Sequence, residues 1–106
     1  MSNSSTGSGT GGIDAAFWER ADAIIALANE QGTKVPNSNV SASLLYAAAR
    51  FNAFIVASDT SDAATMKADK EEAIRYFTEE YRKMLSQNFD DYIDNFAAYL
   101  PRGAQG

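Results

Sequence analysis

Apolar side chains recur at helical spacing along most of the chain, and no segment alternates as a β-strand does. The first such segment runs from about Asp14 to Gln31, with Asp14 as the expected N-cap and Gly32 as the expected residue after its end. Its apolar stripe consists of Ile13, Phe17, Ala21, Ile24, Ile25 and Ala28, with Trp18 at the edge. Acidic residues point away from this stripe, so the pattern predicts an amphipathic helix.

The second predicted helix, from about Val40 to Ala57, is apolar nearly all round. One side carries Val40, Leu44, Ala47, Ala48, Phe51, Phe54 and Ile55, and a second side carries Leu45, Ala49 and Val56. A helix of this kind is normally covered on nearly every side. We therefore expect a further element of the same chain, or another subunit, to cover the side that two neighbouring helices leave open.

The third predicted helix begins near Ser61 or Asp62 and is long. Its inward stripe consists of Ile74, Phe77, Tyr81, Met84 and Leu85. Opposite charges stand four residues apart at Glu71 and Arg75 and at Glu79 and Lys83, which is typical of a solvated helix face.

The apolar stripe shifts around the helix after Leu85, and Asn88 resembles a fresh N-cap. Two interpretations stay open. The long helix continues through a stutter in its apolar pattern, or it breaks near Asn88 and a fourth helix covers roughly residues 89–100. Both place four aromatic residues on one face: Phe89, Tyr92, Phe96 and Tyr99.

The predicted fold class is all-α: a small antiparallel bundle of three helices, with a fourth short C-terminal helix as the open alternative. Short loops between the helices favour antiparallel neighbours. Residues 1–12 are rich in Ser and Gly and are expected to form a disordered tail, residues 13–100 form the bundle domain, and residues 101–106 are expected to fray.

Arg50 and Asn52 are the polar residues in the middle of the second helix. Arg50 shares a side with Tyr46, where it serves either as a structural or rim residue or as a contact for an anionic ligand or partner. Asn52 lies in an apolar seam, where its amide needs hydrogen bonds and where a lone amide often fixes register or oligomeric state. We expect the partner of Asn52 to lie within the fold.

Composition excludes several classes of function. The 106 residues include no Cys and no His, which removes disulfides, thiolate metal sites and the most common general base. A net charge of −5 argues against a nucleic-acid partner. No signal peptide and no uninterrupted run of about 18 apolar residues is present, so we expect a cytoplasmic protein without a membrane span.

The sequence predicts no catalytic residue, no metal site and no cofactor. The acidic group Asp90, Asp91 and Asp94 lacks the glycine-turned calcium loop, and acidic residues in a first helical turn already interact favourably with the helix dipole. The glycine-rich run GSGTGG lies in the tail without a preceding strand and so is not a phosphate-binding loop.

Three blocks carry a resemblance to a known family: FWERADAIIALANEQ, SASLLYAAARFNAF, and ADKEEAIRYFTEEYRKML followed by NFDDYIDNF. Over about residues 15–96 the chain resembles a family of small bacterial proteins catalogued only as a domain of unknown function. The resemblance implies a compact, mostly helical cytoplasmic protein, and it brings no catalytic residues.

The leading functional hypothesis is a non-enzymatic protein–protein interaction or homo-oligomerisation module. Its contact surface would use the second helix and the C-terminal aromatic residues, with packing of those aromatics inside the chain as the alternative. The rival hypothesis is a small-ligand-binding or enzymatic protein with a polar site at Arg50, Tyr46 and Asn52, completed by Glu79 or Glu80. Association with a membrane surface is disfavoured because the polar helix faces are mixed or acidic.

Overall fold

The computed structural model describes residues 13–101. It confirms the predicted all-α class, and no strand occurs within this range. The predicted tail at residues 1–12 and all but the first residue of the predicted frayed end lie outside the described residues. In chain order the helices are α1 (Phe17–Gln31), α2 (Asn37–Ser58), α3 (Ala63–Asp94) and α4 (Phe96–Tyr99). Three long helices, one short helix and short connections are therefore the elements of the predicted bundle.

Helix α1 begins after a turn that Asp14 organises. The Oδ1 atom of Asp14 accepts hydrogen bonds from the Ala16 N–H and from the Arg20 guanidinium, both at 3.1 Å. The Phe17 N–H donates to the Asp14 carbonyl at 3.0 Å, which closes the turn ahead of the helix. Asp14 thus stabilises the start, as predicted, but it does so three residues before the first helical residue because it caps a turn rather than the helix itself.

Helix α2 begins at Asn37, earlier than the sequence predicted. The Pro36 carbonyl accepts hydrogen bonds from the Asn39 N–H at 3.0 Å and from the Val40 N–H at 3.4 Å. The segment around Pro36 reads as a turn by composition, but proline fits the start of a helix because its fixed φ is helical and its missing N–H needs no partner there.

Helix α3 begins at the predicted place. The Asp62 Oδ1 atom accepts the Thr65 N–H at 2.8 Å, so Asp62 is the N-cap of the helix. This hydrogen bond from the Thr65 backbone holds the pKa of Asp62 below its ordinary value.

Helix α3 runs through Asn88 without a break, so the continuous alternative is correct and the predicted fourth helix over 89–100 is not formed. The Asn88 Nδ2 atom donates to the Met84 carbonyl at 2.8 Å, one turn back along the same helix. Asn88 is therefore an interior helical residue and not a cap.

The helix instead ends at Asn95, which makes three hydrogen bonds back to Asp91. Its backbone N–H donates to the Asp91 carbonyl at 3.0 Å, and its Nδ2 atom donates to the Asp91 carbonyl and Oδ1 at 3.1 and 2.9 Å. Helix α4 follows directly and contacts α3. The C-terminal helix therefore exists, but it spans only Phe96–Tyr99.

The charged face of α3 pairs differently from the prediction. Lys83 Nζ lies 2.9 Å from Glu80 Oε2, three residues earlier, instead of pairing with Glu79. The hydrogen bond and the negative charge of Glu80 raise the pKa of Lys83 above its ordinary value. Both side chains are partly exposed, so the pair adds little to stability and belongs to a solvated face.

The chain divides into two units, residues 1–50 and 51–106, with the boundary inside α2. No described residue of either unit is buried. Folded domains normally bury several large apolar side chains completely. Each unit thus presents apolar helix faces to its surroundings without a core beneath them.

Candidate interaction surface

The most prominent surface feature is the exposure of large apolar and aromatic side chains on every long helix. Among the described residues, 22 such side chains expose between 39% (Leu44) and 68% (Trp18) of their surface. At an uncovered area on the order of 100 Å² each, they leave about 2,000 Å² of mostly apolar surface open. Soluble monomers rarely expose connected apolar patches above a few hundred Å², so these side chains are the first candidates for a contact surface.

Helix α2 contributes the aromatic pair of Phe51 and Phe54. Their ring centroids lie 5.9 Å apart, and the rings are 61% and 60% exposed. Leu44 and Ile55 lie on the same side of the helix and are also exposed. The first apolar side that the sequence predicts for this helix is therefore present and is at least partly exposed along its length.

Arg50 and Tyr46 both lie exposed on α2. Among the described residues, Arg50 forms no ion pair or side-chain hydrogen bond. Of the acidic residues named with it, Glu80 is already engaged by Lys83. The guanidinium is thus open to a ligand or partner.

Asn52 is the second polar residue in the middle of α2, and the sequence predicts a hydrogen-bond partner for its amide. It is only partly covered, and its side-chain amide makes no hydrogen bond to any described residue. The partner that the sequence predicts for Asn52 therefore stays a prediction. An amide in this position keeps both its donor and its acceptor available.

The C-terminal aromatic residues are also exposed, and Asp91 organises them. Tyr99 Oη donates to Asp91 Oδ2 at 2.9 Å, and the rings of Tyr92 and Tyr99 lie 4.8 Å apart. The hydrogen bond and the negative charge of Asp91 raise the pKa of Tyr99. Phe89 and Phe96 remain at least half exposed beside this arrangement.

This contact gives Asp91 a structural role. Both of its carboxylate oxygens accept hydrogen bonds, one from Asn95 and one from Tyr99. Within residues 13–101, no group of three or more acidic side chains lies close enough to hold a metal ion. Sequence reasoning missed the Tyr99 contact because it spans eight residues and depends on the break at Asn95, which the spacing of apolar residues does not reveal.

Helix α2 also meets the length and hydropathy requirements for crossing a membrane, with 22 residues and a mean hydropathy of 1.4 over its best window. Arg50 and Asn52 interrupt the apolar run of this helix, so a search for uninterrupted apolar residues does not detect it. Composition of this kind is weak evidence, because the central helix of a soluble assembly has the same properties.

The fold and surface define a class: a small all-α protein that presents apolar helix faces. Its described part contains no group of side chains that could hold a metal ion. A family model described as "Protein of unknown function (DUF3144)" matches residues 17–93, from the start of α1 almost to the end of α3. The chain belongs to this family, which confirms the resemblance to a domain of unknown function. Comparisons with curated proteins and with solved structures gave no match.

Proposed function

We propose that this protein is a non-enzymatic interaction module that associates with itself and forms its hydrophobic core between copies. One observation carries the proposal: no described residue is buried, and 22 large apolar and aromatic side chains are exposed, all but Ile13 and Val35 on the helices. A chain that leaves its apolar faces open needs a partner to cover them.

The size of the open surface supports a permanent rather than a passing contact. Obligate interfaces bury about 2,000–5,000 Å² in total, or about 1,000–2,500 Å² on each subunit. The roughly 2,000 Å² of exposed apolar surface falls within that range. Transient complexes bury about half as much, so a brief encounter would leave much of this surface in water.

Insertion of α2 into a membrane is the competing way to cover the same residues. It would place Arg50 and Asn52 near the middle of the helix in the hydrocarbon, and Arg alone costs about 2.5–3.5 kcal/mol there. In a protein assembly, by contrast, the Arg50 guanidinium can reach water while its stem packs against apolar atoms.

Light scattering coupled to size-exclusion chromatography tests the proposal on the full chain at micromolar concentration. We expect a discrete mass that is a multiple of the 11.4 kDa chain. Phe54→Asp should reduce that mass, because it places a charge on the exposed aromatic pair of α2. Gln87→Asp, on α3 and outside the predicted apolar stripe, is the matched control and should leave the mass unchanged.

A folded monomer at this concentration would contradict the proposal. Flotation of the protein with lipid vesicles would do so as well, because it would show that a bilayer covers α2. Retention of a small anion by wild type but not by Arg50→Ala, together with a monomeric mass, would favour the ligand-binding alternative instead.

A further inference from the structure

We propose that α2 pairs with α2 of a second copy in a parallel, in-register arrangement, in which the Asn52 side chains of the two copies hydrogen-bond to each other. This inference rests on the proposed self-association and adds the partner helix, its direction and its register. It concerns one face of α2, which we call the Asn52 seam.

The seam is defined by the spacing of residues along α2. Its members recur at alternating steps of four and three: Ser41, Leu45, Ala48, Asn52 and Ile55. Such alternation is the repeat of a two-stranded coiled coil, in which Leu45 and Asn52 occupy equivalent core positions one heptad apart. Leu45 and Ile55 are 55% and 41% exposed, so the seam is free to receive a second helix.

The unpartnered amide of Asn52 selects the direction of pairing. In a parallel in-register pair, each Asn52 faces its counterpart, and each amide supplies the donor and acceptor that the other requires. In an antiparallel pair centred on α2, each Asn52 would instead lie near Ser41 and Ser43 of the other copy, where a serine hydroxyl with a single donor replaces the matched donor and acceptor of a second amide.

The charge distribution on α2 favours a second copy as the occupant. Residues 37–58 contain no acidic residue and a single basic residue, Arg50. Arg50 lies about 160° around the helix from Asn52, so parallel pairing through the seam keeps the two Arg50 side chains apart. The seam carries no charged residue, so it cannot form ion pairs with a charged partner, whereas a second uncharged seam can pack against it without repulsion.

The open surface is also large enough for this occupant and for further contacts. The seam accounts for one side of α2, and the Phe51 and Phe54 side remains for the other helices of the assembly. Together with the exposed faces of α1 and α3, this surface reaches the area that each subunit of an obligate dimer buries.

The absence of cysteine from the chain makes a direct test possible. Four single-cysteine variants of the full chain are oxidised under mild conditions and separated without reductant: Leu45→Cys, Asn52→Cys, Ile55→Cys and Tyr46→Cys. A disulfide requires Cα atoms about 4.4–6.8 Å apart, which neighbouring core positions of a parallel pair approach. We expect efficient covalent dimers from the three seam variants and little from Tyr46→Cys, which lies on another side of α2.

The pattern of cross-links decides the question. A parallel in-register pair requires cross-links at both Leu45 and Ile55, so failure at either position overturns the inference; a cross-link at one position alone indicates an antiparallel pair whose two-fold axis passes there. Preferential cross-linking at Tyr46 assigns the contact to another face and also overturns it. If Asn52→Cys fails to fold, as judged by circular dichroism, the outer two positions still decide between the two directions.

A further variant tests the role of the amide itself. Asn52→Leu removes the polar pair, so we expect continued association but more than one oligomeric state by light scattering. A single unchanged dimer would show that Asn52 does not specify the pairing. A monomeric wild type would refute the proposed self-association as well, whereas a dimer without seam cross-links refutes only this inference.

Discussion

At the scale of single residues, Asp62 stabilises the longest helix by capping its N-terminus. Its carboxylate accepts the Thr65 N–H and satisfies one of the backbone donors that the first turn of α3 leaves free. We expect Asp62→Ala to lower the midpoint of thermal unfolding by a few degrees at neutral pH, measured by circular dichroism. Asp62→Asn should keep most of the stability because an amide oxygen also caps a helix.

The lowered pKa of Asp62 determines how its contribution to folding stability changes with pH. A carboxyl group whose pKa is lower in the folded state stabilises that state above its unfolded pKa of about 4, and this contribution disappears as the pH falls through the folded pKa. The difference between wild type and Asp62→Ala should therefore shrink as the pH falls below about 4. A difference that does not vary with pH would contradict the capping role of the charge.

Tyr99 should titrate differently from the other tyrosines. Its bond to Asp91 raises its pKa, so the contact stabilises the fold below the ordinary tyrosine pKa of about 10 and is lost as the pH rises through the higher folded value. An ultraviolet titration should show a late-ionising group among the five tyrosines. Tyr99→Phe should abolish this late step and Asp91→Ala should move it to lower pH, whereas a late step that survives Tyr99→Phe would assign it elsewhere.

Asn52 shows where residue-level prediction reaches its limit. Its place between the apolar sides of α2 follows from the helical period, which is a local property of the sequence. Whether its amide is satisfied depends on what covers the seam. No pattern within one helix records that information, so the hydrogen-bond partner of Asn52 stays a prediction.

At the scale of elements, Asn88 and Asn95 can be compared because one lies inside α3 and the other caps its C-terminal end. Asn88 lies in the interior of α3, where Ala is the better helix former by roughly 0.5 kcal/mol. Asn95 ends the helix through its bonds to Asp91. We expect Asn88→Ala to raise the free energy of unfolding slightly and Asn95→Ala to lower it, as measured by urea denaturation. Destabilisation by Asn88→Ala would support a helix start at that position.

The positions of the helices were largely predictable, and their exact ends were less so. Apolar spacing located the three long helices, and the acidic cap of α3 was placed correctly. The start of α2 was missed because Pro36 and the residues after it are common in both turns and first helical turns. The break was misplaced because Asn caps helices and also occurs inside them, so residue type alone does not separate Asn88 from Asn95.

At the scale of the whole molecule, a core formed between copies makes unfolding depend on protein concentration. Anything that binds the folded state stabilises it by mass action, and in a self-associating protein the ligand is the protein itself. We expect the thermal midpoint to rise over a roughly hundredfold increase in concentration, measured by circular dichroism. A midpoint independent of concentration would contradict self-association coupled to folding, and the association-impaired Phe54→Asp variant should show a weaker dependence.

The unbroken course of α3 past Asn88 also determines which helix can lie beside it along its full length. At 1.5 Å per residue, α1, α2 and α3 measure about 22, 33 and 48 Å. Either α1 or α2, laid alongside α3, is shorter than α3 and leaves at least about 15 Å of its length uncovered. Among the described helices, only α3 of a second copy is long enough to lie beside the whole of α3. In the self-association proposed above, the uninterrupted helix would set the length of the assembly, and contact between two α3 helices would continue beyond the reach of α2 at the exposed aromatic residues near the C-terminal end of α3.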